Sequence, residues 1–196
     1  MSNAIQLTPS EFLSKAMVAD TIAVDTETNG KDIRDGRGFA IGISAAVRVD
    51  NIYYSAYFPV AHETGNVEEE TKNLLFQIIA TRPRVVMHNA KFDLDSLETA
   101  GFNLQIIKWY CTMMMAHFLN ENVPKGLDWL SKYELKEPGK NKPPEWVAFH
   151  TLYGWSPRFP ANIMALYACE DAVLCLKLFF RLEPFFKEWG FDGSEV

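Results

Sequence analysis

Five residues in this chain are of types that could hold a hard cation or aim a water molecule: Asp25, Glu27, Asp93, Tyr167 and Asp171. The first two sit in "TIAVDTETNG", residues 21–30, where an apolar run ends in two acids. In a strand, residues i and i+2 face the same side, roughly 7 Å apart along the chain. Asp25 and Glu27 therefore converge. Carboxylates this close repel, and one stays protonated unless a cation sits between them. Mg²⁺ and Mn²⁺ take oxygen ligands of this kind. The bland alternative is that strand ends carry acids because loops are wet.

The second stretch is "VVMHNAKFDLDSL", residues 85–97. An apolar strand turns into a helix with Asn89 placed to cap it. Asp93 falls in the first turn, where the helix dipole alone would favour a carboxylate. Asp95 competes with it for any functional role. The third is "LYACEDAVLCLKL", residues 166–178. Tyr167 and Asp171 are four apart on a helix and share a face. A helical aromatic is usually core. Yet Ile163, Leu166, Leu174 and Leu178 already supply an apolar face, so the acid beside it needs a partner.

The elements that must position these residues can be read along the chain. "LTPSEFLSKAMVA" predicts a short opening helix capped by Thr8 or Ser10, with Glu11 in its first turn. Residues 21–27, 38–47 and 51–60 predict strands, rich in β-branched and aromatic residues. The gap from Arg48 to Asp50 predicts a hairpin of three residues. "VEEETKNLLFQIIATR" predicts an amphipathic helix stopped by Pro83. "RVVMHN" predicts a short buried strand, "AKFDLDSLETAG" a helix closed by Gly101, and "IIKWYC" a last strand. "TMMMAHFLNE", "LDWLSKYEL" and "NIMALYACEDAVLCLKLFFRLEPFF" predict helices. The proline-rich segment 136–160 between the last two reads as an ordered but irregular surface insertion. Strands, then strand–helix alternation, then helices give a three-layer α/β domain with a mixed sheet, expected to span residues 1–196 as one domain.

A chain of 196 residues with 48% hydrophobic and 22% charged residues is long enough to fold on one core. Three cysteines, an odd number without a C-x-x-C pair, fit a reduced setting, and no signal segment is legible in "MSNAIQLTPSEF". A cytoplasmic protein without a membrane span is expected. The net charge of −6 argues against a broad phosphate-gripping surface. It does not exclude a nucleic-acid substrate held through bound cations, which invert the local charge logic.

Taken together, Asp-x-Glu at the end of the first long strand, Asn-x-x-x-Asp at a helix start and Tyr-x-x-x-Asp on a late helix resemble the signature of the DEDD 3′–5′ exonucleases. "CTMMMAHFLNENVPKGLDWLSKYEL" is similar to the helical segment of the proofreading domain of family A DNA polymerases. The resemblance covers roughly residues 20–183. It is to the tyrosine branch, since Tyr167 stands four before the last Asp and Leu166 stands where the other branch has His. It departs at Cys111, where the family usually has Asp before Thr-Met. No polymerase segment is legible after residue 183, so a stand-alone enzyme or a piece of a polymerase is expected.

The resemblance implies a ribonuclease H-like fold and two divalent ions, Mg²⁺ or Mn²⁺, about 4 Å apart. Asp25 would bridge them, Glu27 and Asp171 would complete one site, and Asp93 would support the other. Tyr167 would aim the attacking water. Thr28, Asn89 and Phe92 would face the terminal nucleotide, although Asn89 also reads as a helix cap and Phe92 as core. The expected reaction is removal of nucleoside 5′-monophosphates from single-stranded or frayed DNA 3′ ends, with a separate DNA polymerase as a candidate partner. The rivals are a ribonuclease D-like RNA exonuclease, lacking here the extra helical domain such enzymes often carry, a catalytically dead nucleic-acid-binding domain, and an Asp-x-Asp phosphatase, which Glu27 fits poorly. Lys125, Lys132, Lys136, Lys140 and Lys142, interleaved with Trp129 and Tyr133, could form a single-strand path. Asp128, Glu134 and Glu137 dilute it, and a solvated face is the expected reading. The four histidines read as structural and the cysteines as small core residues.

Overall fold

The computed structural model describes residues 4–103, 108–140 and 142–190. Within them a six-stranded mixed sheet has the order β1-β4-β3-β2-β5-β6. Its strands are β1 (Ala4–Gln6), β2 (Thr21–Thr28), β3 (Ala40–Val49), β4 (Ile52–Pro59), β5 (Arg84–Met87) and β6 (Trp109–Cys111). β2, β3 and β4 form an antiparallel meander, while β5 and β6 continue the sheet in parallel from β2. β1 pairs in parallel with the outer edge of β4. No helix among the described residues is long and apolar enough to cross a membrane.

The side-chain alternation of β2 sorts the whole domain. Ile22 and Val24 point into one core, shared with α1 (Pro9–Ala16), α2 (Glu69–Thr81) and α3 (Ala90–Thr99). Ala23 points into the other, shared with α4 (Thr112–Leu119), α5 (Leu127–Tyr133) and the 28-residue α7 (Ala161–Glu188). By the same period of two, Asp25 and Glu27 face the α7 side. Small residues line that face: Ala23, Gly42, Ser44 and Ala46 are all on it, and they let α7 lie close to the sheet. Between Glu27 and Thr28 the β2–β3 register shifts, so the strand is re-aimed where its acids must point.

Most predicted elements are present, with local differences that have physical causes. Thr8 caps α1 in a full capping box with Glu11, so Ser10 lies inside the helix. The hairpin between β3 and β4 has two residues, not three: Asp50 and Asn51 both take left-handed backbone (φ 51° and 62°), and Val49 pairs with Ile52. That is the primed turn whose twist matches its strands. β1 was not anticipated, because three residues on a sheet edge carry no alternation to read. Ile106 and Ile107 of the expected last strand lie outside the described residues.

The segment 136–160 is not the irregular surface insertion that its prolines suggest. Pro144 opens a helix, α6 (Pro144–Tyr153), and Gly154 closes it with φ 59°. Trp146 and Phe159 are buried and join Ile41, Tyr57 and Tyr167 in a third core. This core supports Tyr167 from behind.

Candidate active site

The C-terminal end of β2, the first turn of α3 and an interior turn of α7 meet at one point. Ligand oxygens of Asp25, Glu27 and Asp171 lie within 4.8 Å of one another. Glu27 and Asp171 are buried, and Asp25 is half-buried. Asp93 joins them from the opposite layer. Thr26 points to the α3 side, because it alternates with Asp25 and Glu27. Its backbone N–H and its hydroxyl both donate to Asp93 Oδ1, at 3.1 and 2.7 Å. Asp93 is thereby folded over the strand end into repulsive range of Asp25 and Asp171. Asp95, its rival in the sequence, turns away to a fork with Arg34, Nε to Oδ2 at 2.6 Å.

The electrostatics are those of a site short of positive charge. Burial raises the carboxyl of Asp25 well above the usual range, and repulsion from Asp93, Asp171 and Glu27 adds to it. Glu27 is raised well above its ordinary value by burial and then by Asp171. Burial lifts Asp93 to about 8 against the pull of Thr26, and lifts Asp171 to about 6 against the pull of Lys140. Two carboxylate oxygens, Asp93 Oδ2 and Asp171 Oδ1, are buried without a hydrogen-bond partner. Unsatisfied buried oxygens are costly, so they call for a ligand. Oxygen-only donors with surplus negative charge fit hard divalent cations.

Tyr167 lies one turn before Asp171 on α7 and within reach of its charge. Its ring is clamped by Trp146 at 4.9 Å and Trp155 at 6.3 Å between centroids. Burial, then the Asp171 charge, raises its hydroxyl above the ordinary tyrosine value, so it is a donor at neutral pH.

Lys140 overturns the expectation of a solvated lysine face. Its Nζ lies 2.5 Å from Asp171 Oδ2 and 4.7 Å from the Tyr167 ring centre. Burial opposes its charge, but Asp171 and Tyr167 outweigh that and raise its pKa. Lys142 stands 5.0 Å over Trp146 and 6.0 Å from Tyr167. The rest of the stretch is closer to expectation, with Lys132 paired to Asp128 and Lys125 bonded to backbone carbonyls. Nothing in the spacing of "GKNK" separates Lys140 from its neighbours. The only hint is that so many buried acids require a cation.

The expected nucleotide contacts take different places. Asn89 precedes α3 in left-handed backbone (φ 65°) and makes no side-chain cap, so the capping role is not realised. Its exposed side chain and the half-buried Phe92, which belongs to none of the three cores, line a cavity of about 350 Å³ beside α3 with Lys31 and Lys91. Thr28 is buried, and its hydroxyl donates to Gly30 O at 2.6 Å.

The cysteines and two of the histidines read as structural are packed or hydrogen-bonded within the fold. All three cysteines are buried and free. Cys111, at the position where the pattern departs, accepts from Ala90 N–H at the start of α3. His88 bonds Thr112 Oγ1 at 2.8 Å, and burial pushes its pKa down to about 4. His62 gives Nδ1–H to Phe159 O and accepts from the Tyr57 hydroxyl at 2.8 Å. That places the Tyr57 ring across Gly42, directly opposite Glu27 in the register.

Comparison with known proteins agrees with this geometry. A family model described as 3′-5′ exonuclease matches residues 5–186. DNA polymerase I of Chloroflexus aurantiacus is 29% identical over 184 residues, which are 89% of this chain and 18% of that protein. DNA polymerase I of Borreliella burgdorferi is 29% identical over 177 residues, 86% of this chain and again 18% of that protein. The chain thus spans about a fifth to a quarter of the length of the curated relatives it matches. Among solved structures, Trypanosoma brucei RNase D in complex with RNA U12 superposes with a TM-score of 0.68 at 12% identity, over 92% of this chain and 63% of that one. The shared architecture is the ribonuclease H-like fold.

Proposed function

Because this chain belongs to the 3′–5′ exonuclease family, we propose that it removes nucleoside 5′-monophosphates from DNA 3′ ends by two-metal hydrolysis of the tyrosine branch. The observation that carries the reading is the convergence of Asp25, Glu27 and Asp171, with Asp93 folded in by Thr26. The ions, Mg²⁺ or Mn²⁺, would be held by these four acids. When bound they would neutralise the phosphate, activate the attacking water and stabilise the departing 3′ oxygen.

The chain's own residues do the positioning. The Tyr167 hydroxyl, held beside Asp171 by the Trp146 cluster, would donate to and aim the water. Asn89 and Phe92 would border the terminal nucleotide at the mouth of the cavity beside α3, and Thr28 would keep the β2 end in shape through its bond to Gly30. The polymerase relatives favour DNA as the substrate, since the two named above are DNA polymerase I.

The test is hydrolysis of 5′-labelled oligonucleotides, DNA against RNA, in Mg²⁺, Mn²⁺ or EDTA. DNA shortened from its 3′ end in either metal, and untouched in EDTA, is expected. RNA degraded faster than DNA would replace the substrate assignment, and full activity in EDTA would remove the metal mechanism.

A further inference from the structure

Four acids crowd one point, and the side chain that meets them is an ammonium. Lys140 Nζ lies 2.5 Å from Asp171 Oδ2, and only 21% of its side chain is exposed. The other Asp171 oxygen is buried without a partner. Asp171 offers an oxygen within 4.8 Å of ligand atoms on Asp25 and Glu27, so an ion held by these three acids shares a carboxylate with Lys140. An ammonium and a divalent cation on one carboxylate repel each other.

We propose that Lys140 is a resident counter-ion of the acid site, occupying a cation position at Asp171 in the metal-free protein and leaving that carboxylate when a divalent ion enters. This rests on the metal-site reading above. The titratable groups that feel the ammonium are Asp25 and Glu27 from β2, Asp171 and Tyr167 from α7, and His88 just before α3. Lys142 also lies over the Tyr167 ring, 6.0 Å from its centre. The backbone is anchored, so displacement is a movement of the side chain alone. Lys140 N–H donates to Asp128 Oδ1 at 2.9 Å. Gly139 before it is left-handed (φ 86°) and packs so tightly on Lys132 and Asp128 that a Cβ would overlap both. There is room to move, since a cavity of about 560 Å³ opens beside Lys140, bordered by Pro138, Leu166, Cys169 and Glu170. The consequence is that metal entry displaces an internal cation, so the site binds metal more weakly than its four acids alone would.

Calorimetric titration with Mn²⁺ alone, at constant pH, separates the possibilities. Lys140→Met keeps the stem over Tyr167 and removes the charge. It is expected to bind Mn²⁺ about tenfold more tightly than wild type, the scale of one nearby like charge. Lys140→Arg, which keeps the charge, is expected to stay near wild type. Equal or weaker binding by Lys140→Met overturns the proposal. Absence of Mn²⁺ binding to wild type would instead overturn the metal site itself, and the proposal with it. Should Lys140→Met fail to fold, the lysine ammonium resonances of wild type decide. A protected Lys140 signal lost on adding Mg²⁺ supports displacement, and one unchanged at saturating Mg²⁺ overturns it.

Discussion

At the scale of single residues, the site depends on which acid each metal needs and which group aims the water. Asp25 lies within repulsive range of all three other acids. Asp25→Ala is expected to abolish hydrolysis, measured as release of mononucleotide from a labelled strand. Tyr167→Phe keeps the ring in its clamp and removes only the hydroxyl. Turnover is expected to fall ~10²-fold, the low end for a positioned group, with Mn²⁺ affinity unchanged by calorimetry. Full activity in either variant would contradict the assigned roles.

The same acids make the metal-free protein pH-sensitive. Asp93 titrates near 8 and Asp171 near 6 in the fold, against about 3.9 in an unfolded chain. Between those values the folded state binds protons that the unfolded chain does not. Stability therefore falls as pH rises through that window. His88, held at about 4, has the opposite sign, but only below about 6.5. The clean window is pH 6.5 to 8. The melting temperature of EDTA-treated protein is expected to fall across it, and Mn²⁺ to restore more at pH 8 than at pH 6.5. A flat metal-free profile would show that the acids are not jointly buried in solution.

At the scale of elements, the close approach of α7 to the sheet is what brings Asp171 to Asp25 and Glu27. On that face of the sheet Gly42 makes room for the Tyr57 ring of β4. A Cβ there would sit 1.8 Å from Tyr57 Oη and 2.1 Å from its Cζ. The ring cannot easily yield, because His62 holds its hydroxyl. Gly42→Ala is expected to cost about 1–3 kcal/mol of stability, read by chemical denaturation, and to lower activity by shifting Glu27. An unchanged midpoint would mean that the ring moves freely.

This is also the scale at which the sequence was and was not legible. The alternation in "TIAVDTET" foretold strand β2 and the common face of Asp25 and Glu27, because a period of two is a local property. The Tyr-x-x-x-Asp spacing did the same for α7. Trp146 was hidden in a proline-rich segment, because its burial depends on Phe159 and Tyr167, distant in sequence. Lys140 was hidden for the same reason, since its partner Asp171 is 31 residues away and no pattern links them. The Asn89 cap failed because the chain enters α3 in left-handed backbone, a choice set by the strand-to-helix turn.

At the scale of the whole molecule, the net charge of −6 leaves little basic surface to pull a paired end apart. Freeing a paired terminal nucleotide costs a few kcal/mol, least when it is mismatched or single-stranded. Single strands and 3′-mismatched duplexes are therefore expected to be shortened faster than matched blunt duplexes, with salt-sensitive binding. A time course on three 5′-labelled DNA substrates checks this, and equal rates on all three would contradict it.

The central claim is that Asp25, Glu27, Asp93 and Asp171 together form a divalent-metal centre. Anomalous diffraction from crystals soaked in Mn²⁺ with a nucleoside 5′-monophosphate tests it most directly. The expected result is Mn²⁺ peaks at the meeting point of β2, α3 and α7, with Asp25 touching both and Asp171 no longer paired to Lys140. Mn²⁺ peaks confined to other acids on the surface, with this cluster vacant at saturating metal, would contradict it.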